Sequence, residues 1–224
     1  MNIQKQIAMK TRLVLFTLLA SFLLVPGTMV AQKNKSPKKD IAIQLYSVRD
    51  LIGSYVGQTG GYDNDYTKVL KEIAEMGYTA VEAAGYNDGK FYNRTPQEFK
   101  KDVESVGLKV LSSHCTKPLS AEELASGDFT ESLKWWDIAI KAHKNAGMTY
   151  LVTPWLDVPK TVKDLKTYCD YYNEIGKRCK AQGITYGYHN HAHEFLKVED
   201  KVVMMDYMIE NTNPEYVFIE MDVY

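Results

Sequence analysis

Cysteine is scarce in this 224-residue chain, which has three: Cys115, Cys169 and Cys179. Cys169 and Cys179 fall ten apart in a stretch of helical periodicity, about 15 Å along the axis and beyond disulfide reach. Cys115 follows His114, but adjacency in sequence is not a nucleophile–base geometry. A disulfide framework is therefore excluded, and the thiols read as buried or spare. The first predicted strand is followed by no Gly-x-Gly-x-x-Gly, so nothing supports a dinucleotide-binding sheet. An excess of positive charge is missing too, with 27 Lys and Arg against 28 Asp and Glu, so no nucleic-acid partner is expected. Apolar runs are short: residues 13–25 form one of 13 residues, where a membrane span needs about 20.

That run follows Lys5, Lys10 and Arg12 and is broken at Pro26-Gly27, the order of a secretory leader. The organisation expected is a leader over 1–31, a basic linker over 32–40 and one domain over 41–224. No Cys follows the apolar run, which argues against a lipid anchor, and no stable membrane anchor is expected after cleavage. The location implied is exported, either periplasmic or secreted. Removing three basic residues leaves 24 against 28 acidic, a formal charge of −4.

What is present is a repeat: amphipathic helix, glycine, one residue, short apolar strand. It runs through Gly77, Gly107, Gly147 and Gly183, spaced 30, 40 and 36 residues apart. Each glycine ends a helix where a left-handed cap is needed, and a strand follows at once. A fifth join, at Asn211-Thr-Asn-Pro214, lacks the glycine. With a strand over 41–46 at the front, the pattern predicts six strands and five helices, at 66–76, 96–106, 129–145, 162–181 and 201–210. Strands alternating with helices at this spacing form right-handed βαβ units and a parallel sheet. An open doubly wound sheet and a (β/α)₈ barrel both satisfy that pattern.

The polar residues favour the barrel, in which chemistry gathers where strands exit. The predicted exits carry Gln44 and Tyr46, then Glu82, His114, Trp155, His189 with His191, and Asp222. The segment Gly187-Tyr-His-Asn-His-Ala-His-Glu-Phe195 holds three of the five histidines. In an extended strand His189 and His191 share a face, with Glu194 just beyond, which suits a divalent metal or a proton relay. Glu220 alternates with Asp222 on one face and is the rival carboxylate there. Trp155 reads as a pocket wall, where an indole can stack on a sugar.

Four segments carry a resemblance: Ile43-Gln-Leu-Tyr-Ser-Val-Arg-Asp50, Gly77-Tyr-Thr-Ala-Val-Glu-Ala-Ala-Gly-Tyr86, Gly187-Tyr-His-Asn-His191 and Phe218-Ile-Glu-Met-Asp222. Together, in order, they resemble the sugar phosphate isomerase/epimerase family of xylose isomerase-like TIM barrels, from Ile41 onward. The resemblance implies an α/β fold, a (β/α)₈ TIM barrel with about six of its eight strands in this chain. It also implies one divalent metal, Mn²⁺ foremost and Zn²⁺ or Fe²⁺ as alternatives, bound by Glu, Asp, His and Glu from strands five to eight. His189 stands where the family has its first Glu, Asp222 matches the Asp, and the other two ligands are expected beyond Tyr224. The domain is accordingly expected to be C-terminally incomplete.

The activity implied is isomerisation or epimerisation of a small carbohydrate by proton abstraction next to a carbonyl. In this reading Glu82, His114 and His191 are catalytic, Gln44, Tyr46, Trp155 and Asn190 bind substrate, and His189 and Asp222 bind metal. A neutral His189 cannot be the second carboxylate base of the family, which opens an alternative: a lyase or hydrolase of keto-glycosides. A carbohydrate-binding protein without turnover is the non-enzymatic alternative.

Overall fold

Six short parallel strands follow one another around the centre of the molecule, which a computed structural model describes over residues 40–52 and 66–223. They are β1 (Ala42–Gln44), β2 (Ala80–Ala83), β3 (Lys109–Ser113), β4 (Tyr150–Thr153), β5 (Thr185–His189) and β6 (Val217–Glu220). The helices between them are α1 (Tyr66–Glu75), α2 (Pro96–Ser105), α3 (Thr130–Asn145), α4 (Val162–Ala181) and α5 (Met204–Asn211). The expected leader and nearly all of the basic linker lie outside the described residues. No helix among the described residues is long and apolar enough to cross a membrane.

The strands pair in chain order. β1, β2 and β3 form one parallel set, and β4, β5 and β6 another. A parallel bridge between His114 and Val152 joins the sets, where Cys115 N–H donates to the Val152 carbonyl at 2.9 Å. Neighbours in space are thus neighbours in sequence, each return being made by a helix, which is the (β/α) barrel arrangement. The joining glycines explain why the helices stop where they do. Gly77 and Gly183 sit at φ +98° and +77°, a region costly for any residue with a Cβ.

Alternation along β5 decides what faces the site. Tyr186 and Tyr188 are buried against Tyr172 of α4, with ring centroids 6.2 and 5.7 Å away, so they belong to the layer between strands and helices. Gly187 and His189 therefore point to the other face. A Cβ on Gly187 would stand 2.6 Å from the Phe218 ring, so the aromatic fills the space a side chain would take. On the outer side Trp136 is buried and donates to the Tyr171 hydroxyl at 2.6 Å. Each large side chain buried there contributes about 2–3 kcal/mol of transfer free energy.

Three boundaries depart from the sequence expectation. β1 ends at Gln44 because residues 45–48 wind into a 3₁₀ turn that leads into a short helix, which carries Tyr46 off the strand. α5 starts at Met204 because Lys197–Val198 and Val202–Val203 pair antiparallel, with Glu199 and Asp200 at positive φ in the turn. A short helix, Ala121–Ser126, precedes α3 and is held by a reciprocal Ser120–Glu123 capping box. The three cysteines are buried and unpaired, and burial pushes the Cys115 thiol well above its ordinary value, which removes it as a nucleophile.

Candidate functional site

Four strand exits converge on Glu82. Its position at the end of β2 leaves it 6% exposed, and both carboxylate oxygens are held. Gln44 Nε2, from the end of β1, donates to Oε1 at 2.7 Å, and the Ser112 hydroxyl of β3 donates to Oε2 at 2.6 Å. His114, just past β3, places Nε2 3.2 Å from Glu82 Oε1 and 3.1 Å from Glu220 Oε2. Glu220, at the end of β6, also meets His189 Nδ1 at 3.1 Å, while His189 Nε2 faces Asp222 Oδ2 at 3.6 Å. Gln44, Glu82, Ser112, His189, Glu220 and Asp222 line one cavity of about 370 Å³.

The two glutamates are shifted in opposite directions for physical reasons. Burial raises the Glu82 carboxyl above its ordinary value, opposed by the His114 imidazole and assisted by the nearby negative Glu220. Burial also works against ionisation of Glu220, but hydrogen bonds from His114 and His189 outweigh it and hold that carboxyl well below the usual range. The same bond to Glu220 raises His189 against its own desolvation. One carboxyl is pushed up and the other held down, within a single hydrogen-bonded group.

The donor set also suits a cation. Ligand atoms about 2.0–2.2 Å from an ion stand roughly 3.0–3.4 Å apart. His114, His189 and Glu220 each offer an atom within 4.8 Å of the others, two of the separations being 3.1 Å. Two imidazoles with one carboxylate fit Mn²⁺, Zn²⁺ or Fe²⁺ by donor type. A bound ion would replace the ring protons now directed at Glu220.

The structure distributes the other nominated residues differently. His191 and Trp155 line a neighbouring cavity of about 570 Å³, with Asp222 shared between the two cavities. Burial, then the nearby His189, lowers the His191 imidazole. Asn190 is buried, and its amide is committed to main chain: Oδ1 accepts from Asp222 N–H at 3.1 Å and Nδ2 donates to the Asp222 carbonyl at 3.2 Å. It clamps the β5 exit to the β6 exit and also lines the larger cavity. Tyr46 is exposed on the 3₁₀ turn, with the Arg49 guanidinium over its ring at 4.3 Å. Ser112 is the participant that sequence reasoning missed. A register shift at Val81/Glu82 brings it opposite Glu82, and no local pattern signals such a shift.

A sequence model of the family described as xylose isomerase-like TIM barrel matches residues 70–224, more than half of the chain. The crystal structure of a sugar phosphate isomerase/epimerase from Parabacteroides distasonis ATCC 8503 is 30% identical. It aligns with a TM-score of 0.69 over 83% of this chain and 70% of its own. A xylose isomerase-like TIM barrel protein from Mycobacterium smegmatis, in complex with magnesium, is 15% identical, with a TM-score of 0.54 over 81% of this chain and 64% of its own. That likeness is one of fold. A 1,4-alpha-glucan-branching enzyme of Rhizophagus irregularis is 28% identical over 108 residues, 38% of this chain, which spans 16% of that enzyme's length.

Proposed function

The chain belongs to the xylose isomerase-like TIM-barrel family, and on that premise we propose that it is a metal-assisted isomerase or epimerase of a small carbohydrate, working by proton transfer beside a carbonyl. The observation that carries this reading is Glu82, a buried carboxyl fixed at both oxygens and facing a cavity shared with an ionised carboxylate. A proton carrier works best when its pKa lies near the working pH, and desolvation moves Glu82 in that direction. As the anion it takes a proton from carbon, and as the acid it returns one. Ser112 and Gln44 keep the carboxyl oriented through both steps, so little reorganisation accompanies the transfer.

His114, His189 and Glu220 are the residues that would hold the divalent ion, with Asp222 beside the far ring nitrogen of His189. When bound, the ion supplies Lewis acidity toward a sugar oxygen and compensates negative charge that develops there. Glu220 provides the permanent negative charge such a site needs, and His114 ties it to Glu82. The leader-like residues 1–31 support an exported, periplasmic or secreted setting, in which unphosphorylated sugars are the expected substrates.

Incubating the protein and Mn²⁺ with a panel of aldoses, ketoses and keto-glycosides tests the reading, with products followed by NMR and mass spectrometry. An isomer of unchanged mass is the expected product. Cleavage of a keto-glycoside into two fragments would instead establish the lyase or hydrolase reading, which His189 in place of a second carboxylate favours. Binding of sugars with no turnover across the panel would make the protein a carbohydrate-binding one.

A further inference from the structure

The cavity that holds Glu82 shares a lining residue with a second one. Asp222 lines both, and the second, of about 570 Å³, is walled by Trp155, His191, His193 and Phe195. Each volume falls in the range of about 300–1,000 Å³ that small-molecule sites occupy. We propose that the second cavity is a subsite for an additional sugar unit, so that the substrate class is a disaccharide or glycoside rather than a free monosaccharide. The proposal rests on the function above for the reacting unit and adds what lies beside it.

Trp155 carries the argument. The residue is 48% exposed, yet its ring is held on several sides. The indole N–H donates to Asp157 Oδ1 at 2.9 Å, the His193 ring lies against it at 4.3 Å, and His191 meets it edge-on at 4.8 Å. The support reaches into the core. His193 Nε2 donates to the Leu156 carbonyl at 2.9 Å, and the fully buried Glu194 accepts from the His191 N–H and the Tyr188 hydroxyl, both at 2.7 Å.

An indole fixed in this way loses little conformational freedom when a ligand covers it, so stacking there is preorganised. The C–H face of a pyranose is the apolar surface that suits an exposed indole, and its hydroxyls remain free for the polar rim. Phe195, also exposed, adds a second aromatic wall. The position is the informative part: Trp155 lines a cavity whose wall at Asp222 is shared with the reaction cavity, where a glycosidic neighbour of the reacting unit would sit.

The test compares glucose with maltose and cellobiose on the full chain. In ¹H–¹⁵N spectra the Trp155 indole resonance is identified by its loss in Trp155→Phe. Disaccharides are expected to shift that resonance, and Trp155→Ala is expected to lower the ratio of disaccharide to glucose affinity about tenfold or more. An unchanged ratio, or no response of Trp155 to either disaccharide, would overturn the subsite. The outcomes also separate this proposal from the function it rests on. Disaccharide binding at Trp155 with no proton exchange on any sugar keeps the subsite and removes the acid–base reading. Turnover of free hexoses with no disaccharide response does the reverse.

Discussion

Glu82 takes its character from neighbours that sit far from it in sequence. Gln44 is 38 residues away and Ser112 is 30, and each occupies one carboxylate oxygen. The Ser112 hydroxyl favours the charged form, so Ser112→Ala is expected to raise the Glu82 carboxyl further. The sign is then fixed: a base with a higher pKa loses activity sooner as pH falls, and the acid limb of the rate–pH profile moves to higher pH. A hydrogen bond to a charged group is worth about 1.5–3 kcal/mol. Polar residues at predicted strand exits made Gln44, Glu82, His114 and His189 legible in the sequence. Ser112 was not, because a bulge sets its register, and the main-chain bonds of Asn190 could not be read from composition.

Elements depend on a few close approaches. A Cβ on Gly176 of α4 would stand 2.3 Å from the Tyr216 carbonyl oxygen, a backbone atom that cannot swing aside. Gly176→Ala should therefore push α4 away from the start of β6 and cost about 1–3 kcal/mol, lowering Tm by roughly 3–10 °C in thermal unfolding. An unchanged Tm would mean that helix and strand can separate freely. The glycine-then-strand repeat announced four of the six strands, since a left-handed cap followed by an apolar run is a local signal. The shorter pieces were hidden: the turn at Glu199 and Asp200 uses non-glycine residues at positive φ, and the helix at Ala121–Ser126 buries none of its own side chains.

For the molecule as a whole, one buried imidazole contributes to the loss of stability in acid. His143 of α3 is buried beside Tyr86 and Phe91, with ring centroids 4.8 and 4.9 Å away, and its Nδ1 donates to the Ala139 carbonyl at 2.6 Å. Burial pushes it from 6.5 down to about 4. Above pH 6.5 both folded and unfolded chains hold it neutral; between 6.5 and 4 only the unfolded chain takes the proton. Stability contributed by the neutral ring is therefore lost as pH falls through that window, by about 3 kcal/mol in total. Urea unfolding of His143→Leu at pH 7 and pH 4.5 should show a smaller acid loss than the parent protein. The barrel order that places this helix was legible because alternating strands and helices leave few right-handed arrangements. The grouping of Glu82, His114, His189 and Glu220 was legible only as a set of exits, since which carboxylate meets which imidazole depends on register across four strands.

The account turns on proton transfer by Glu82, and solvent exchange reads it directly. A responsive sugar incubated in D₂O with the protein and Mn²⁺ should gain deuterium at the carbon beside its carbonyl. Glu82→Gln, folded by circular dichroism, should slow that gain at least a hundredfold. Deuterium uptake at an undiminished rate in the variant would contradict the account.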